Sequence, residues 1–111
     1  MNSAKLKNFV VNFVYVTNFY YKRVPFHLAH LKHYENLRKN DNMIMVGGGT
    51  FPYGEAKIYI SSDDDSKIEK AIKNDPYYVN NLIVNYTIDE IQTLTNNSLE
   101  DLSRHYTYIQ K

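Results

Sequence analysis

The stretch "MIMVGGGTFPYGEAKIYIS", residues 43–61, decides the fold. Residues 43–46 form a short apolar run that stops at Gly47-Gly48-Gly49, and residues 55–61 set Ala56, Ile58 and Ile60 on one face. Strand thus follows strand, with only "GGGTFPYG" between them. Three glycines at a strand end predict a flexible turn, although bare backbone there also lets a ligand approach closely.

Helical stretches flank this pair on both sides. Upstream, residues 25–40 read as a helix that begins at Pro25, where the missing N–H costs nothing. Before it, residues 9–16 alternate Phe9, Val11, Phe13 and Tyr15 on one face of a strand. Downstream, "SSDDDSKIEKAIKN" predicts a helix capped by Ser62 or Asp63, with acidic residues favourably placed against the helix dipole. The aspartates lack the spacing and the glycine of a calcium loop, so they read as a cap. Residues 82–88 complete the pattern as a strand with Leu82, Val84, Tyr86 and Ile88 on one face.

The order β-α-β-β-α-β predicts an α+β, ferredoxin-like sandwich, a four-stranded antiparallel sheet with both helices on one face. Apolar and tyrosine side chains on both faces of strands one and four predict that a second copy covers the bare face, as in dimeric α/β-barrels. The tail reads as a short C-terminal helix starting at Ser98, with His105 facing solvent. The expected domains are residues 1–94 and a helical extension, 95–111.

Composition narrows the function. The chain has 111 residues, 43% of them hydrophobic, a net charge of +1 and no cysteine. Such a balance argues against nucleic acid, and the missing cysteines exclude disulfides and thiolate chemistry. The apolar N-terminal run is interrupted by Asn12 and Asn18 and is too short to span a bilayer. A cytoplasmic protein with neither membrane partner nor cofactor is expected.

Three of the four histidines, His27, His30 and His33, stand three residues apart on the first predicted helix. At roughly 100° per residue, His30 falls at the centre of an inward stripe with Phe26, Tyr34, Leu37 and His27, and His33 on its margin. The three rings spread over about 120° with no carboxylate to complete a set, which disfavours a metal site. Spacing alone leaves His30 as either a core histidine bonded to a carbonyl or a functional ring. In "NDPYYVNN", residues 74–81, Pro76 stops the second helix and fixes Asp75 at a hinge. Asp75 reads as the cap of a short helix, a role that does not exclude pairing with His30.

The segments "HLKHYENLRKNDNMIMVGG" (30–48), "DPYYVNN" (75–81) and "NYTIDE" (85–90) resemble the YciI-like (YCII-related) family of small dimeric α+β proteins. That resemblance implies a ferredoxin-like homodimer with an active site at His30 and Asp75. Its few members with an assigned reaction eliminate HCl from chlorinated ring compounds. Departures exist: His27 stands where members often have arginine, and a different alignment would place Arg23 and His27 on the motif after a three-residue insertion. The surrounding pocket is expected to draw on His27, Tyr34, Gly47, Gly48 and Tyr77. Two functions follow: an acid–base enzyme acting on a small organic compound, or a non-catalytic dimeric module that binds a small ligand or a protein.

Overall fold

The computed structural model describes residues 6–50, 52 and 54–92. Its elements run β1 (Lys7–Tyr15), α1 (Phe19–Lys22), a 3-10 turn (Val24–Phe26), α2 (His27–Asp41), β2 (Ile44–Gly49), β3 (Glu55–Ser62), α3 (Asp65–Lys73), α4 (Pro76–Val79) and β4 (Ile83–Ile91). The strands form one antiparallel sheet in the order β2-β3-β1-β4, the ferredoxin-like arrangement. Alternation makes β1 the spine of the core. Phe9, Val11 and Phe13 are buried beside Ile60, Ile58 and Ala56 of β3, and α3 covers them with Ile68, Ala71 and Ile72.

Several local expectations are corrected. β2 does not stop at Gly47 but pairs with β3 through Gly49, which opposes Ala56. The glycines are therefore strand, and the turn begins at Thr50, whose N–H donates to the Glu55 carbonyl at 2.8 Å. Gly47 is needed for this: its φ is 153°, and a Cβ there would sit 2.3 Å from the Lys57 carbonyl oxygen. In β4 the expected alternation breaks at Val84. Val14 pairs with Asn85 and Tyr15 with Ile83, so Val84 is the extra residue of a bulge and turns to solvent. Ile83 is buried in its place, while Tyr86 and Ile88 still pack on the core.

The helix starts shift as well. β3 continues through buried Ser62, so the cap of α3 is Asp64, whose carboxylate accepts the Ser66 N–H at 3.0 Å. Helix α1 has no counterpart in the sequence pattern. Asn18 adopts a left-handed φ of 63°, which asparagine tolerates better than most residues, and turns the chain so that Phe19 is buried. The predicted inward stripe of α2 is only half-buried, and no residue of that helix is fully covered.

Among the described residues no helix covers the sheet's other face. Val14, Ile44, Val46 and Tyr59 are exposed there, and Val10 is half-buried. Strand β4 contributes Asn85, Thr87, Asp89 and half-buried Ile91 to that face, so its apolar character comes mainly from β1, β2 and β3 rather than from strands one and four alone, as expected from sequence. The predicted tail helix, with Ser98 and His105, and the boundary at residue 94 lie outside the described residues. Among the described residues no helix is long and apolar enough to cross a membrane.

The neighbouring glycines predict opposite responses. Gly47→Ala forces a β-carbon against backbone and should cost about 1–3 kcal/mol. A Cβ at Gly48 meets nothing within 4 Å. Gly48→Ala should therefore be neutral or stabilise by up to about 1 kcal/mol, through the unfolded chain's lost freedom. Urea midpoints of the two variants check the contrast.

Candidate functional site

Asp75 reaches its position because Pro76 keeps it extended, at φ −64° and ψ 129°, between the end of α3 and the start of α4. Its side chain folds back over α4, and Oδ1 accepts the Tyr77 N–H at 2.9 Å. The same oxygen lies 2.9 Å from His30 Nδ1, and Oδ2 accepts the Tyr34 hydroxyl at 2.9 Å. The capping carboxylate and the partner of His30 are thus one group. Asp75 is 1% exposed, and its charge is met by three donors in place of water.

A carboxylate accepts, so His30 donates through Nδ1–H, and in the neutral ring Nε2 then carries the lone pair. The His30 ring lies on the Tyr77 ring at 3.9 Å between centroids and 10° between planes, with the Tyr34 ring edge-on at 5.1 Å. Its orientation is therefore fixed on three sides. The other two histidines have different partners. His27 Nδ1 is 2.7 Å from the Tyr77 hydroxyl, and His33 Nε2–H donates to the Ala71 carbonyl at 2.8 Å, tying α2 to α3. Among the described residues no three His, Asp or Glu side chains converge where a metal ion could sit.

His30 lines a cavity of about 360 Å³. His27, Tyr34, Gly47, Gly48 and Tyr77, the pocket residues named from sequence, all line it too. Its remaining walls include Phe13, Tyr15, Phe19, Arg23 and Gly49, none of them among those named. The run of aromatics directly after β1, "NFYYKR", was the available signal. Tyr15 and Phe19 stack at 3.6 Å, and Tyr77 meets Phe19 edge-on at 5.2 Å, which makes that wall rigid. A larger and more open hollow, about 760 Å³, lies along α3 and β4 and is lined by Asp65, Glu69, Lys70, Lys73 and Glu90 among others. Among the described residues no histidine lines it, so the smaller cavity is the candidate site.

Protonation states follow from these surroundings. Burial, then the Asp75 charge, holds the Tyr34 and Tyr15 hydroxyls far above the ordinary phenol range. Burial also raises Tyr77, opposed by the Arg23 guanidinium beside it. The cavity's buried tyrosines therefore stay neutral. His27 is held below its ordinary value, first by desolvation and then by the charge of Arg23. A neutral His27 accepts the Tyr77 O–H at Nδ1 and carries its own proton at Nε2.

No family model matches the chain, and no curated protein matches it. Two solved structures share its fold. One is 5-chloro-2-hydroxyhydroquinone dehydrochlorinase (TftG) from Burkholderia phenoliruptrix AC1100 in complex with 2,5-dihydroxybenzoquinone, at a TM-score of 0.62 and 15% identity, covering 82% of this chain and 99% of that one. The other is Rv0793 from Mycobacterium tuberculosis, at a TM-score of 0.53 and 12% identity, covering 85% and 100%. At these identities the likeness is one of fold.

The three-donor arrangement predicts graded losses. Asp75→Ala strands three buried donors and removes the cap, for about 2–4 kcal/mol. Asp75→Asn keeps the cap, and its amide can donate to the Tyr34 oxygen, so about 1 kcal/mol is expected. Tyr34→Phe removes one bond, also for about 1 kcal/mol. Urea unfolding should place Asp75→Ala below the other two variants, which should lie close together.

Proposed function

We propose that the chain is a YciI-like protein whose cavity is the active site of a small acid–base enzyme, with His30 moving the proton and Asp75 orienting it. One observation carries the reading: Nδ1 of His30 is bonded to a buried carboxylate while its Nε2, on a cavity wall, has no partner among the described residues. A base needs its lone pair facing the substrate and its conjugate acid stabilised, and this arrangement supplies both. Asp75 lies 2.9 Å from the ring nitrogen that becomes part of an imidazolium when Nε2 takes a proton. Its other two donors keep the carboxylate in place.

The reaction class best supported is elimination of HCl from a chlorinated ring compound. The motif order in the sequence and the fold shared with a dehydrochlorinase both favour it. In that step an O–H or C–H proton of the substrate passes to His30 Nε2. The freed electron pair forms a new double bond, and the C–Cl pair leaves with chloride. Only a proton and a chloride are lost, so no oxidant or cofactor is required.

We further propose that the active form is a homodimer joined through the bare sheet face. Val14, Ile44, Val46 and Tyr59 form an exposed apolar surface there, of the kind a second copy covers.

The test is chloride release from a panel of chlorinated hydroquinones by wild type and His30→Gln. Wild type should release chloride, and the variant should be slower by about 100-fold or more. Release that survives the substitution would sink the acid–base reading. Ligand binding without any release would leave the non-catalytic binding module.

A further inference from the structure

We infer that the cavity selects small, flat organic anions, and that Arg23 receives their negative charge. This rests on the reading that the cavity binds the ligand, and it adds what kind of ligand that is.

Charge is the first observation. Among the described residues Arg23 is the only lysine or arginine on the cavity wall, and no carboxylate lines it. Among the described residues no aspartate or glutamate pairs with Arg23. Asp75, the nearest buried carboxylate to the site, does not reach the wall and is already held by three donors. The guanidinium lies over the Tyr20 ring, 4.6 Å from its centroid, and beside the Tyr77 hydroxyl. Neither neighbour neutralises it, and a guanidinium has five N–H donors to place. A half-buried arginine among aromatic rings, without a counter-ion, favours an anion that brings one, most of all a planar oxyanion that can take two donors at once. His27, held neutral, adds no second charge but offers a donor at Nε2.

Shape is the second observation. Gly47 must be glycine for its backbone, but Gly48 and Gly49 need not be. A Cβ at Gly48 meets nothing within 4 Å, and one at Gly49 meets only the Glu55 carbonyl, at 3.6 Å. Side chains would therefore fit at both positions, and at Gly49, which shares the inner face with Ala56, one would occupy the cavity. Bare backbone on this wall, with the stacked Tyr15 and Phe19 rings on another, suits a ring and leaves room for about one.

Isothermal titration with 4-hydroxybenzoate and its uncharged analogue 4-hydroxybenzamide tests this on the intact protein. The acid should bind at least about tenfold more tightly than the amide, a preference that weakens as salt is added. Arg23→Gln should abolish the preference and Arg23→Lys should retain part of it, each with a thermal midpoint near that of wild type. Gly49→Val, which the backbone accommodates, should weaken both ligands. Equal binding of acid and amide to wild type, a preference that survives Arg23→Gln, or no binding of either at millimolar concentration would overturn the inference. Gly49→Val binding that matches wild type would remove the shape argument. His30→Gln should keep the preference for the acid while losing chloride release, so failure of the anion inference and failure of the acid–base reading give different results.

Discussion

The buried carboxylate of Asp75 is the constraint on which the α2 and α4 side of the molecule depends. Removed from water, its charge must be met by donors, and those donors come from two elements: His30 and Tyr34 on α2, and the backbone of Tyr77 on α4. This matters because α2 buries no residue completely and exposes Leu28 and Leu31. A helix with so little apolar cover is held largely by polar bonds from its inner side, His27 to Tyr77, His30 and Tyr34 to Asp75, and His33 to Ala71. The other helix, α3, is fixed in the ordinary way, by Ile68, Ala71 and Ile72 packed into the core. The contrast leaves α2 free to line a cavity, since the apolar side chains that would have filled the space are replaced by rings that point polar atoms inward.

Much of this was legible in the sequence where a local rule and the tertiary demand agreed. Alternation in β1 and β3 survives because both are interior strands with one buried face. The stop at Asp75 survives because proline restricts its neighbour whatever the surroundings. That one step brought a carboxylate and a histidine 45 residues apart to a common point, since the helix face of His30 was already fixed by its spacing.

Other features escaped because they depend on partners a single strand cannot reveal. The bulge at Val84 exists only in relation to β1, and the continuation of β2 through three glycines is dictated by the close approach to Lys57 of β3. The cap fell to Asp64 because β3 ends later than its apolar pattern does. Helix α1 is too short to show a period, and its start relies on one asparagine in a left-handed conformation. Arg23 followed from no periodicity. It lies at the junction of α1 and the 3-10 turn, both too short to show a period, and there it lines the cavity.

The clustering of histidines has a physical resolution in their tautomers. His33 spends its Nε2 proton on a backbone carbonyl and does not line the cavity. His30 and His27 stand 6.4 Å apart between ring centres, yet their partners set them oppositely. A carboxylate accepts from Nδ1 of His30 and so leaves a lone pair at its Nε2. A phenol that lies beside Arg23 has its oxygen turned to the cation and its proton turned to Nδ1 of His27, which leaves a proton at the other nitrogen. Two like side chains one helical turn apart thereby offer, in their neutral forms, a hydrogen-bond acceptor and a hydrogen-bond donor on the wall of one cavity. Spacing alone could not distinguish the rings, because the distinction is made by Asp75 and Tyr77, both carried on the short segment that Pro76 sets in place.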